Sequence, residues 1–420
     1  MAPNYFPIRF DAEEKDYDAP QWKVADAEPK GEARQWPLLY RRSTSGKDSF
    51  IHIVEAQWKT GAGFRVNPGR KLWVSAEGTD GMNVDPAVEA DYDRVKGTIT
   101  IKDVTLSKKL SDKTKFYEGT KDKGFKLEWK ITCCAGKKDK KWTTAGESIN
   151  ILYTCLADPI GTRFRTVVNW ACRPDGAGDE KAAFDCAWSS FSKDNKPANA
   201  NNWEGQTLYY YQLGESAVGK SNLKFNLPDL LKAAHADKTG NGNCEAWADG
   251  LGRSAKIHGV KTRRFWVLPT SRLQSAGFLV KSWEYGAPHP RAQGAYKWLL
   301  GLTLKVVNAA TGEAGFTMVP IPAGGKYWDL TSKPGLAGQN TETPAEKQFN
   351  LHVIVKYESL YYDPSYGKTY TDEANFEKLA LDGYTAVDLR EGEVPPKPPV
   401  MLVKPVSGNT EIRFDPFDEE

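Results

Sequence analysis

The sequence predicts a mixed α+β chain in which an antiparallel β-sandwich precedes a domain that combines helices with strands. Three observations point there. Short strand-like segments separated by Gly, Asp, Asn and Lys turns fill Phe50 to Cys172. Helical spacing begins only after Pro174-Asp175-Gly176, and a strand pair rich in β-branched and aromatic residues follows at Phe349 to Tyr366. The expected organisation is an N-terminal arm over 1–45, an Ig-like β-sandwich over 46–173, a helix-containing domain over 174–394, and a Pro-rich linker with an acidic tail over 395–420.

The arm is rich in Pro, Ala and charge, a composition that does not support its own core. The sandwich strands are read at Phe50–Trp58, Lys71–Glu77, Gly97–Val104, Phe125–Thr132, Lys140–Gly146, Ile149–Leu156 and Arg163–Cys172. Leu127 to Ile131 alternates cleanly, which places Trp129 in the core. Asp179 to Ser192 spaces Ala182, Ala183, Cys186, Trp188 and Phe191 as an amphipathic helix, and Trp203 to Leu213 reads as strand or loop. Leu227 to His235 is a second helix, stopped by the turn formers Thr239 to Gly242. A third helix opens at Cys244, carries Trp247, Ala248, Leu251 and Ala255 on one stripe, and stops near Gly259. Lys261 to Leu268 is a strand, Phe349 to Tyr357 another, and Leu360 to Tyr366 its return. Thr371 to Leu381 reads as a short helix, and Pro395 to Pro399 as a stiff extended linker.

The chemistry sits in these last elements. Gly242-Asn243-Cys244-Glu245 supplies a thiol in the first turn of a helix, where unpaired amides and the dipole favour an anion. A thiol reacts as thiolate, so it needs such help or an adjacent base. His352, in Phe349-Asn350-Leu351-His352, and Asp363, in Tyr361-Tyr362-Asp363-Pro364, are a base and an orienting carboxylate on neighbouring strands. With the turn centred near Tyr357 and Glu358, the two fall almost opposite each other, and facing Cβ atoms are about 5 Å apart. Each residue alone has a plainer reading: Cys244 as a small buried hydrophobe, His352 as a strand histidine, Asp363 as a turn residue. Their joint spacing favours a triad. The Cys244 backbone N–H is the expected oxyanion donor, with Gln339, Asn350 and Asn243 as candidates for the second.

Gly242 to Arg263 resembles the nucleophile helix of the transglutaminase-like superfamily, in which G-x-C opens a helix that ends in G-[IV] before a strand. Phe349 to Val355 and Tyr361 to Gly367 resemble that superfamily's histidine and aspartate strands. The resemblance runs from about Gly178 to Tyr384. It implies a papain-like core with Cys244 as nucleophile, His352 as general base and acid, and Asp363 as orienting group. Asn243 and Glu245 flank the cysteine where animal transglutaminases usually have G-Q-C-W, which points to the broader bacterial hydrolase-like members. The expected activity is hydrolysis of a peptide or protein amide through a thioester. Glutamine deamidation or transglutamination is the first alternative, and a noncatalytic binding or scaffold protein the second.

Composition narrows the remaining classes. A net charge of +3 gives no whole-molecule attraction to nucleic acid, and Lys137-Lys138-Asp139-Lys140-Lys141 reads as a solvated hairpin tip. No apolar stretch approaches the ~20 residues of a membrane helix, so no membrane insertion is expected. The N-terminus lacks a basic flank before an apolar core, so the expected location is cytoplasmic, or outside by a route without a classical signal. Five histidines without paired cysteines at metal spacing predict no metal site, and Gly324-Gly325-Lys326-Tyr327 is no phosphate loop, so no cofactor is expected. Asp329 is a competing acidic partner or a strand-end cap. The expected partners are a peptide or protein substrate and, through the β-sandwich, a further protein.

Overall fold

The computed structural model describes residues 8–10 and 37–416, apart from 62–63, 68–69, 121, 134–140, 162, 212–222, 271–276, 282, 286–329, 333–334, 342–347, 350, 389–399, 407 and 409. Asn350, Lys137 to Lys140, Gly324 to Tyr327, Asp329 and Pro395 to Pro399 therefore lie outside the described residues. The chain is mixed α and β with several antiparallel sheets. It divides into two compact units, residues 1–187 with 253–260 and residues 188–252 with 261–420.

The first unit contains β1 (Ile8–Phe10), β2 (Leu38–Arg41), β3 (His52–Lys59), β4 (Leu72–Gly78), β5 (Val84–Asp93), β6 (Thr98–Thr105), β7 (Phe116–Tyr117), β8 (Phe125–Thr132), β9 (Thr143–Asn150) and β10 (Leu152–Cys155). Seven of them form a sheet in the order β1-β3-β6-β5-β4-β8-β9, antiparallel at every described pairing, and β2-β10-β7 form a second sheet. One apolar core joins them: Leu38, Tyr117 and Leu152 of the small sheet cluster with Ile53, Trp58, Val74, Ile101 and Leu127 of the large one. Trp129 is fully buried and meets the edge of Trp58 with ring centroids 4.9 Å apart, the arrangement that ring quadrupoles favour.

The first unit differs from the sequence reading at several segments: Leu38–Arg41, read as part of the arm, is β2 and pairs with β10. Val84 to Asp93 is a long strand that its Pro and charged residues conceal, and Arg165–Cys172, read as a strand, is helix α1. Every residue of α1 except Asn169 is buried. Its Val, Thr and Trp residues mimic a strand. Helix α2 (Glu180–Ser189) begins in this unit, its first turn capped by Asp179 Oδ1 accepting from the Ala182 amide at 2.8 Å.

The second unit holds β11 (Ser192–Lys193), β12 (Lys196–Pro197), β13 (Thr207–Tyr210), α3 (Leu227–Asp237), β14 (Thr239–Gly242), α4 (Cys244–Ile257), whose turns from Arg253 count with the first unit, and β15 (Arg263–Pro269). Then follow β16 (Gly277–Val280), β17 (Trp283–Tyr285), β18 (Leu330–Ser332), β19 (Gln348–Phe349), β20 (His352–Tyr357), β21 (Leu360–Asp363), β22 (Lys368–Tyr370), α5 (Glu373–Ala380), β23 (Leu381–Asp388), β24 (Val400–Pro405) and β25 (Ile412–Pro416). An antiparallel sheet in the order β22-β21-β20-β15-β25 is the scaffold of the site, and β19-β16-β23-β24 form another antiparallel sheet.

Thr239 to Gly242, read as a plain turn, is instead a strand paired in parallel with β13. The reversal after α3 is made by Lys238 at φ 64, and Asn226 caps the other end by accepting from the Asp229 amide. A Cβ on Gly242 would sit 2.9 Å from Leu230 Cδ2 and 3.3 Å from Ala246 Cβ. The absence of a side chain there lets β14 lie directly on α3 and delivers the chain to Cys244.

Candidate active site

Cys244 is the first residue of α4 and is 5 % exposed. Asn243, just before it, accepts from the Ala246 amide at 3.1 Å through Oδ1 and is the helix N-cap. Its backbone N–H donates to Lys224 O at 3.0 Å, so the turn bearing the thiol is tied to the chain entering α3.

His352 opens β20 and Asp363 closes β21, so both stand at one end of the same sheet. The pairing Tyr357↔Leu360 and Val355↔Tyr362 puts the two-residue turn at Glu358-Ser359, one position later than the sequence suggested. Asp363 therefore stands one step beyond the Val355↔Tyr362 pair, with His352 diagonal to it on the same face. The diagonal is still within reach of an imidazole. His352 Nε2 donates to Asp363 Oδ2 at 2.9 Å, and both side chains have no solvent exposure. Asp363 Oδ1 accepts from the amides of Ser365 at 3.1 Å and Tyr366 at 3.3 Å. A carboxylate so supplied with donors is fixed in orientation.

The other ring nitrogen, Nδ1, is buried without a full hydrogen bond. The second polar group acting on the ring is the Cys244 thiol, as a side-chain hydrogen-bond partner and as a charge. Burial alone would push the imidazole towards neutrality, but the charge and hydrogen bond of Asp363, helped by Cys244, outweigh it and raise its pKa to about 10. The structure thus brings Cys244, His352 and Asp363 together.

The oxyanion candidates fare differently. Gln339 is fully buried, and its amide is committed: Nε2 donates to Phe191 O and Pro364 O at 2.6 Å each, and Oε1 accepts from Ala200 N at 3.2 Å. It is a clamp between three loops, with no donor left for a substrate. Asn243 uses its oxygen as a cap, which leaves its Nδ2 as a side-chain donor one residue before the thiol. Asn350 lies outside the described residues.

Sequence reasoning missed most of the aromatic surroundings. Rings of Phe349, Tyr366, Phe376 and Tyr210 stand 4.9, 5.5, 6.1 and 6.4 Å from the imidazole, centroid to centroid. Tyr370 lies behind Asp363; burial first and the Asp363 charge second hold its phenol well above the usual range. The Tyr362, Tyr366, Tyr370 spacing was the available signal.

His258, also buried, has a different environment. His258 Nε2 donates to Ala171 O at 2.8 Å and its Nδ1 accepts from Leu156 N at 3.2 Å. Burial lowers its pKa. Among the described residues, no group of three or more His, Cys, Asp or Glu is placed to hold a metal ion, and no helix is long and apolar enough to cross a membrane. No family model and no curated protein matches this chain.

Proposed function

We propose that the second unit is a thiol-dependent amide hydrolase acting on peptide or protein substrates, with Cys244 as nucleophile, His352 as proton carrier and Asp363 as orienting group. The observation that carries this reading is one buried imidazole engaged by a carboxylate at 2.9 Å and by a helix-start thiol. Cys244 Sγ, as thiolate, attacks the carbonyl carbon, and the charge moves to the carbonyl oxygen. Collapse breaks the C–N bond while imidazolium His352 gives its proton to the departing amine, leaving a thioester and neutral imidazole. Water then attacks the thioester, His352 takes its proton, and the acid leaves as thiolate and imidazolium are restored. The Cys244 backbone N–H and Asn243 Nδ2 are the proposed donors to the oxyanion.

Acyl transfer is the second reading, in which an amine replaces water in the last step and glutamine side chains supply the acyl group. The near-complete burial of sulfur and ring favours it, because bulk water is held away from the thioester.

Iodoacetamide labelling followed by peptide mass spectrometry tests the core of the proposal. Cys133 and Cys186, both part-exposed, serve as internal references. Cys244 is expected to label faster than either, and His352→Ala to remove the advantage. Equal rates in wild type, unaffected by His352→Ala, would leave a noncatalytic binding module as the reading. Incubation with a glutamine-containing peptide, with and without a primary amine, then separates cleavage, deamidation and amine incorporation.

A further inference from the structure

Phe349 and His352 are three residues apart, and in one continuous strand such residues face opposite sides. Here their rings are stacked, 4.9 Å apart and inclined by 29°. The chain achieves this by changing sheets between them. Phe349 ends β19 and pairs with Phe278 of the four-stranded sheet, whereas His352 begins β20 of the five-stranded sheet. Phe349 is backed by the Phe278 ring at 5.1 Å, which in turn meets Tyr384 at 6.1 Å. A second ring, Tyr366, lies 5.5 Å from the imidazole at 34°, and its own backbone amide is bonded to Asp363.

We infer that Phe349, assisted by Tyr366, is a positioning residue for His352: its face holds the imidazole plane so that Nε2 stays on Asp363 while Nδ1 remains available to the Cys244 sulfur. The inference rests on the proposed triad and adds a residue to it. Rotation of a histidine ring about its last torsion has only a broad preference of its own, so neighbours decide its angle. Here a 2.9 Å bond to Asp363 fixes one edge of the ring and a buried aromatic wall restricts its tilt. The π faces also attract a cation, most strongly where water is excluded. They therefore favour imidazolium, the form that donates to the leaving amine. The charged groups acting on the ring are Asp363 from β21 and Cys244 from α4, while Tyr210 from β13 and Tyr366 after β21 present rings.

The test uses the full chain with isotope-labelled histidine, the His352 resonance being assigned by its loss in His352→Gln. Phe349→Leu keeps the volume class and removes the π face. It is expected to lower the His352 pKa by about one pH unit and to move the pH profile of Cys244 alkylation, while Phe349→Tyr retains wild-type behaviour in both. A folded Phe349→Leu protein with the wild-type His352 titration and alkylation profile would overturn the inference. Should Phe349→Leu not fold, Phe349→Met is judged by the same two readouts. A wild-type protein in which His352 titrates as an ordinary imidazole and Cys244 labels no faster than Cys133 overturns the triad itself, an outcome distinct from failure of the Phe349 role.

Discussion

His352 and Asp363, eleven residues apart in sequence, meet at 2.9 Å with neither side chain exposed. A buried ion pair of this kind is costly to break from one side, because the remaining charge has neither water nor partner.

Asp363→Asn is therefore expected to destabilise the second unit by about 3–5 kcal/mol, measured by urea denaturation. In the folded fraction the His352 pKa falls well below about 10, since burial, the largest influence, has then lost its main opponent. Histidine NMR reads this directly.

Stability is expected to fall with rising pH above 6.5. His352 binds its proton more tightly folded, at about 10, than unfolded, near 6.5. Its contribution is thus complete below 6.5 and is lost as pH rises through about 10. From about pH 9 the buried thiols Cys155, pushed up to about 12, and Cys172 add losses of the same sign. His258 works oppositely: burial lowers its pKa, so its contribution is present above 6.5 and is lost as pH falls through the folded value. Thermal melts across this range, compared between wild type, His352→Gln and His258→Gln, separate the terms.

Gln339→Leu removes the donors to two carbonyls and the acceptor for one amide. At about 1–3 kcal/mol for each buried group left unsatisfied, the loss should exceed that of an ordinary surface substitution several-fold. Unfolding midpoints check it. A wild-type midpoint would mean that the clamp holds nothing.

Gly367→Ala is expected to disturb the turn after Asp363. Gly367 has φ +61, and a Cβ there would lie 2.4 Å from Lys196 O. Left-handed backbone alone costs a substituted residue about 1–3 kcal/mol, and the overlap with main chain adds to it. Lower thermal stability and a smaller His352 pKa elevation are the expected readouts.

Asn243→Ala should cost about 1 kcal/mol as a lost helix cap, and Asn243→Asp should recover most of it. Chemical denaturation distinguishes the two.

Much of this architecture was legible in the chain. Strands β3, β4, β6 and β8 of the first unit follow from alternation, and α3, α4, α5 and β20–β21 follow from caps, stripes and turn residues close to the observed bounds. The site was legible as far as side-chain types and strand neighbours reach. The rest required tertiary facts. Arg165–Cys172 has strand-like composition but is a helix enclosed on all sides. The run FNLH reads as one strand, yet it spans a change of sheet. Gln339 carries no local sign of its three partners, which come from loops as distant as Phe191.

Because the imidazole and its acid occupy the terminal rungs at one end of the five-stranded sheet, the opposite end of their hairpin, at Glu358-Ser359, is exposed and remote in register from both. Scaffold and candidate site are thereby segregated along the length of a single ribbon. A fluorophore or affinity handle grafted at that tip would report on the hairpin without touching the His352–Asp363 pair.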